Sequence, residues 1–429
     1  MKHFMEPPTS RVITCMALLC FVLTVSAQRR PEPNYDEAKV PHFVLPDVLT
    51  CNDGTRVTNK KEWERKRRPE LMELFSRLEY GRTPKEKIRM TASLVEENPN
   101  ALGGLATMQQ VCLRFEGNGR HINTLLLAYI PNARKGKVPV MIGYNFKGNH
   151  CVSKDEQIIY SPYFAQLTNR ADPILERGNS LTRWPLEMIV QRGYALVTMC
   201  YHDIFPDRAD GRPESAAALF SDYQDGPLPS DAWQALGVWA WGSSRIADWV
   251  EQQPWADKHR MAIMGHSRQG KAALWAGAQD TRFRVVISND SGCGGAALSK
   301  RAYGEAVAHI TQSFPHWFCP AFAGFSQNEA ALPFDQHELI ALMAPRHVYV
   351  ASAEEDRWAD QRGEFLSAYY AGPVFELYGL QGLGTDQMPA IHQPIMHRVA
   401  YHIRAGKHDV TDYDWKCYLD FCDKAWKEK

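Results

Sequence analysis

The chain lacks a charge bias: 49 Lys and Arg stand against 49 Asp and Glu in 429 residues. Nucleic-acid binders usually carry a basic excess or a dense basic stripe, so the balance speaks against a polyanion partner. It also lacks a membrane-length apolar run. The longest, Val12 to Val25, has 14 residues, where a span needs about 20. Low complexity is absent too, because 45% hydrophobic and 23% charged residues are ordinary globular usage. No internal repeat or interdomain linker is visible. His392, His397 and His402 do not fall at metal-ligand spacing such as H-x-x-x-H, so they read as structural.

The one long apolar run has a different meaning. Lys2 and Arg11 flank a polar start, Val12 to Val25 forms an apolar centre, and Val25-Ser26-Ala27 offers small residues for cleavage. That pattern predicts a signal peptide over 1–27, cleaved near Ala27, and a secreted or periplasmic protein. No cysteine follows the cleavage site, which argues against a lipid anchor. Cys15 and Cys20 leave with the signal, and eight cysteines stay. An oxidising compartment permits disulfides, but eight cysteines allow 105 pairings, so spacing assigns none.

Residues 28 to 58 carry Pro31, Pro33, Pro41 and Pro46 with little periodicity and read as an extended N-terminal arm. Pro69 to Tyr80 reads as an amphipathic helix, with Leu71, Leu74, Phe75 and Leu78 at helical spacing behind a proline suited to the first turn. From residue 120 strand-like and helix-like segments alternate. Strands are expected at 123–130, 138–144, 195–199, 260–264, 285–288 and 347–352, with helices at 233–250 and 269–278. Such alternation predicts a mainly parallel sheet covered on both faces, with catalytic loops at its C-terminal edge. Two stretches, 148–187 and 202–231, interrupt the rhythm; loops of that length in a compact domain are commonly functional.

The segment Met264-Gly265-His266-Ser267-Arg268-Gln269-Gly270-Lys271 is the most informative. A strand runs into a helix through two glycines, with a serine at the bend. A strained strand-to-helix turn exposes a serine Oγ above the sheet and aims the next N–H at a developing oxyanion. The usual spacing is G-x-S-x-G; here the second glycine comes one residue late, and Gln269 takes its place. A serine needs a base, and the base an orienting carboxylate, in the chain order Ser, acid, His. His408 is the late histidine, expected on a loop after a helix ending near Arg404. Asp290 and Asp356, each after a strand end, compete for the acid; topology slightly favours Asp356, and sequence alone leaves the choice open.

Gly265-His-Ser-Arg-Gln-Gly-Lys271, Asp290-Ser-Gly-Cys-Gly-Gly295, Phe314-Pro-His-Trp-Phe318, Glu355-Asp-Arg-Trp358 and Gly406-Lys-His-Asp409 together resemble bacterial glucuronoyl esterases of the carbohydrate esterase class. Asn34-Tyr-Asp-Glu-Ala-Lys39 and Tyr144-Asn-Phe-Lys-Gly-Asn-His150 extend the likeness over most of the chain. The resemblance implies an α/β-hydrolase fold, a three-layer sandwich with a mainly parallel sheet and long inserted loops. It implies a single catalytic domain over 28–429 that cleaves the ester between 4-O-methylglucuronic acid on glucuronoxylan and a lignin alcohol. Ser267 would be the nucleophile, His408 the base and Arg268 an oxyanion stabiliser, while Lys271, Glu305 and Trp358 would contact the sugar. No metal or organic cofactor is required, no nucleic-acid or membrane partner is expected, and a monomer is expected. Two rivals remain: an acetyl or feruloyl xylan esterase with the same triad, and a carbohydrate-binding protein that keeps the fold without turnover.

Overall fold

The computed structural model describes residues 31–166, 175–224 and 226–428, so the signal segment expected at 1–27 lies outside the described residues, as does part of the 148–187 loop. Ten strands form: β1 (Arg89–Ala101), β2 (Ala106–Gly117), β3 (Arg120–Pro131), β4 (Val138–Asn145), β5 (Ala195–Cys200), β6 (Ala256–His266), β7 (Phe283–Asn289), β8 (His347–Ala353), β9 (Ile395–Met396) and β10 (Val399–Arg404). They lie side by side in the order β1-β2-β3-β5-β4-β6-β7-β8-β10-β9. The six from β5 to β10 in that order are parallel. β1, β2 and β3 add an antiparallel wing on one side, and β9 an antiparallel edge on the other.

The parallel strands are apolar throughout because both of their faces are covered. Every residue of β4, β5, β8 and β10 is buried. Alternate side chains enter opposite layers. Val140, Ile142, Val197, Ile263 and Val286 pack with the helices Ala235–Glu251 and Arg268–Gln279, while Met141, Leu196, Ala262, Met264 and Ile287 pack with Leu186–Gln191 and Asp412–Ala425. A fully buried Leu, Ile or Val adds roughly 1.5–3 kcal/mol, so this two-sided burial fixes strand register: a one-residue slip would exchange the two layers. The result is an α/β-hydrolase fold.

The predicted strands and helices form, longer by a few residues in most cases; the helix predicted at 69–80 spans Arg68–Leu78. Two expectations need correction. Strands begin well before residue 120, because β1 and β2 precede it. β1 is exposed along nearly its whole length and carries a bulge between Leu94 and Glu96, so it shows no period-2 pattern. In β2 the alternation breaks where Gln110 is buried, its amide bonded to Gln157 O and Ile159 N. The second correction concerns the helix expected to end near Arg404. Val399–Arg404 is strand β10, a fully buried and mostly apolar run, and the last helix, Asp412–Ala425, follows His408.

The N-terminal arm lies against the body: Asn34 O accepts from Gly304 N at 2.7 Å, and Glu37 pairs with Arg301 at 2.7 Å. All eight cysteines in the described residues are free thiols, seven of them buried.

Candidate active site

The C-terminal ends of β6, β7, β8 and β10 meet around one cavity of about 350 Å³. Ser267 follows β6, Asp290 follows β7, Asp356 follows β8, and His408 follows β10. The cavity is lined by these four together with Arg268, Lys271, Glu305 and Trp358, so the eight candidate residues from the sequence share one site.

Ser267 sits at the bend with φ 56° and ψ −129°, a conformation rare for a residue with a Cβ. Holding it costs on the order of 1–3 kcal/mol, which the surrounding fold must overcome. The two glycines make the bend possible. A Cβ on Gly265 would lie 1.9 Å from Gln269 O, and one on Gly270 would lie 2.9 Å from Ser291 Cβ. The late glycine therefore has a steric cause: position 270 is pressed against the loop after β7. Ser267 N donates to Asn289 O at 2.8 Å, tying the bend to β7. Ser267 caps the helix Arg268–Gln279 without a side-chain hydrogen bond, so its Oγ is not spent on the cap.

His408 Nδ1 lies 2.6 Å from Asp356 Oδ2, an imidazole that is 41% exposed against a buried carboxylate. Asp290 is close by but makes a different contact, with Oδ2 3.5 Å from Arg404 Nη2 and Oδ1 without a hydrogen-bond partner among the described residues. Burial, and after it the charges of Glu364 and Asp356, push the Asp290 carboxyl well above the usual range, although Arg404 pulls the other way. Glu364 lies beneath the same loop. It accepts from Ser352 Oγ at 2.6 Å, Ser291 N at 2.8 Å and Gly292 N at 3.0 Å, and burial raises it to about 8. Asp290, Asp356 and His408 bring one potential ligand atom each within 4.8 Å of one another. A metal could draw on that set, but the Arg404 cation already occupies its buried side and Nδ1 is engaged by Asp356.

Arg268 is held more firmly than its sequence position suggests. Its guanidinium donates to Asp207 Oδ2 and lies over the rings of Trp317 at 4.6 Å and Phe314 at 5.2 Å. Asp207 also accepts from Tyr201 Oη at 2.8 Å, His316 Nε2 at 2.8 Å and Trp317 Nε1 at 2.7 Å. Burial alone would push this carboxyl up; His316, Arg268, Trp317 and Tyr201 instead hold it well below the usual carboxylate range. It is thus an anion fixed to orient a cation. Arg268 Nε, buried and without a protein partner among the described residues, remains as a donor. Asp207 was not among the sequence candidates. It lies in the 202–231 loop, where only the loop's length was a signal; His316 and Trp317 stood in a recognised motif without a role.

This hub gives a test. With Arg268 as the expected oxyanion donor, Asp207→Asn should lower kcat/KM by ~10²-fold, the scale of losing one such donor. Arg268→Ala should do the same, and the double variant should be scarcely worse than either, because both remove one unit. Additive losses would separate the two residues.

Lys271 and Glu305 line the same cavity. Lys271 is 3% exposed and donates to Ser291 O and, at 2.6 Å, to Cys293 O; its Nζ is 3.7 Å from Glu305 Oε2. A buried ammonium needs such partners, and with two N–H groups on carbonyls the third can serve Glu305 or a ligand oxygen. Glu305 N donates to Trp358 O at 2.9 Å, so the segments carrying these two residues are joined. Two of the histidines read as structural have clear partners. His402 is buried between Tyr349 Oη and Asp414, both at 2.9 Å, and His392 Nε2 accepts from Ala405 N at 3.2 Å.

A family model described as glucuronyl esterase of fungi matches residues 183–379. The chain is 40% identical over 426 residues to a carbohydrate esterase from an unknown prokaryotic organism, covering 96% of this chain and 98% of that protein. Among solved structures, a glucuronoyl esterase from Solibacter usitatus is 41% identical with a TM-score of 0.83, covering 91% of this chain and all of the other. A promiscuous esterase of carbohydrate esterase family 15, from a marine bacterial metagenome, matches at 41% identity and a TM-score of 0.83, over 92% of this chain and 100% of that one.

Proposed function

Because the chain belongs to the glucuronoyl esterases of carbohydrate esterase family 15, which are carboxylic ester hydrolases, we propose that it cleaves the ester joining 4-O-methylglucuronate on glucuronoxylan to a lignin alcohol, with Ser267 as nucleophile, His408 as base and Asp356 as the acid that orients it. The observation that carries this reading is the His408–Asp356 pair at 2.6 Å, in one cavity with Ser267 and with the Lys271–Glu305 pair. Export through residues 1–27 belongs to the same proposal and would bring the enzyme to its polymer.

In this mechanism His408 takes the Ser267 proton as Oγ attacks the uronoyl carbonyl. The charge that develops on the carbonyl oxygen meets the Arg268 N–H, one of the first donors of the helix and so without an intrahelical partner, and the guanidinium that Asp207 fixes. Donors already oriented need little rearrangement as the reaction proceeds. The C–O bond to the alcohol breaks, with the proton passing from His408 to the leaving oxygen. Water, deprotonated by the same histidine, then attacks the acyl carbon, and His408 returns the proton to Ser267 Oγ as the C–Oγ bond breaks and glucuronate is released. Lys271 and Glu305 offer a donor and an acceptor to the sugar hydroxyls, and Trp358 an apolar face.

A second reading has one observation behind it: the metagenomic relative is described as promiscuous, which leaves room for acetyl or feruloyl esters in this site. A substrate panel decides between them. Methyl and benzyl glucuronate should exceed acetylated and feruloylated xylan fragments in kcat/KM by ~10⁴-fold, the scale on which a site built to hydrogen-bond its substrate rejects one lacking the matching groups. Lys271→Met should erase most of that advantage. Equal turnover of all the esters would overturn the glucuronate assignment.

A further inference from the structure

Strand β10 ends in Arg404, a residue that is 2% exposed and whose guanidinium turns back under the loop that follows it. Nη1 donates to Ala405 O at 3.0 Å, and Nη2 to Lys407 O at 2.9 Å and Asp409 O at 2.5 Å. One side chain therefore grips the backbone of the His408 loop before, beside and after the histidine. The loop has few other ties. Gly406 O accepts from Glu355 N at 3.0 Å, Ala405 N donates to His392, and Arg183 meets Asp409 Oδ1 at 2.5 Å. The residues themselves are exposed or half-buried, so apolar packing does not hold them.

A buried cation needs compensation, and here it is built in. Arg404 Nε donates to Asp414 Oδ2 at 2.8 Å, and Nη2 lies 3.5 Å from Asp290 Oδ2. Asp414 is itself fixed: Oδ1 meets His402 Nε2 at 2.9 Å, and Oδ2 accepts from Thr411 N and Oγ1 at the start of the last helix. Burial would raise the Asp414 carboxyl, but His402, Arg404 and Thr411 hold it down, so the anion stays available to the guanidinium. The clamp thus rests on a hydrogen-bonded platform between β10 and the final helix.

We propose that Arg404 is a positioning residue for the base: it sets the Ala405–Asp409 loop so that His408 Nδ1 meets Asp356 and its other ring nitrogen is left for Ser267. Asp290, in this arrangement, faces Arg404 at 3.5 Å and is not the partner of His408. The inference rests on the reading of His408 as the base. Lysine keeps the charge but, with a single ammonium, cannot span three carbonyls in the fork geometry of a guanidinium. A misplacement of about 1 Å in a catalytic group costs on the order of 10²-fold in rate.

The experiment compares wild type, His408→Ala, Arg404→Lys and Gly406→Ala on methyl glucuronate, with kcat expressed per active site titrated by an activated ester in the three proteins that keep His408. Arg404→Lys should lower kcat by ~10²-fold and leave KM within about threefold. Gly406 has φ 97°, and a Cβ there would lie 3.4 Å from Arg404 Nη1, so Gly406→Ala disturbs the same loop with no buried charge removed. It should show the same split, with a kcat loss of at least about tenfold, and it replaces the lysine variant if that protein does not fold. A wild-type kcat per titrated site in Arg404→Lys, or in Gly406→Ala should it stand in, with His408→Ala inactive, would overturn the positioning role while leaving the base in place. Full activity of His408→Ala would instead overturn the reading on which the inference rests.

Discussion

Ser267→Ala should reduce kcat on methyl glucuronate by on the order of 10⁵-fold or more, with KM changed by less than about threefold and the fold intact. The size follows from the arrangement. His408 and Asp356 have nothing to activate once Oγ is gone, so the covalent route is closed and only oriented water and the oxyanion donors remain. Stability should scarcely move, because the Ser267 side chain makes no helix-capping hydrogen bond and alanine leaves the Gly265 and Gly270 contacts unaltered. A change below about 1 kcal/mol is expected by thermal denaturation. Activity within tenfold of wild type would mean that another group carries the acyl transfer.

The second large effect separates the two acids. Asp356→Asn should lower kcat by ~10⁴-fold, the scale seen when an amide replaces the carboxylate that orients a catalytic imidazole. Asp356 Oδ2 is 2.6 Å from His408 Nδ1, so an amide there would hold the wrong tautomer or offer a neutral dipole where the imidazolium needs a charge. Asp290→Asn should cost about tenfold or less by the same physics. Burial together with Glu364 and Asp356 favours the uncharged carboxyl at Asp290, and asparagine resembles that form in shape and polarity. Steady-state kinetics on the two variants suffice. Equal losses would show that both carboxyls serve His408, and a larger loss at Asp290 would reverse the assignment.

Such a difference was not legible in the chain. Asp290 and Asp356 each follow a strand and each sits in a family motif. What distinguishes them is where the side chains lie after strands β7, β8 and β10 come together, 52 residues separating Asp356 from His408 and 114 separating Asp290 from Arg404. Asp207 was hidden for the same reason: it grips Arg268 from 61 residues away, within a stretch marked only by its length. Arg404 was misread outright, because Val399–Ile403 is apolar save for His402, and a nearly continuous run of that kind does not tell a buried strand from a buried helix. β1 and β2 escaped notice because exposure, a bulge and a buried glutamine broke the alternation that marks a strand.

Sequence alone determined the parts of this protein that depend on neighbouring residues. The strand–glycine–serine–glycine–helix bend was readable because its residues fall within six positions, from Gly265 to Gly270, and the clash that requires Gly265 arises with Gln269 inside that stretch. The alternation of buried strands and helices was readable because burial on two faces leaves a local apolar signature. The tertiary structure decided which carboxylate meets the histidine, which acid aims Arg268, and what holds the His408 loop. Those choices are hydrogen bonds and charge pairs between segments far apart in the chain, and their energies arise only when folding removes the groups from water together.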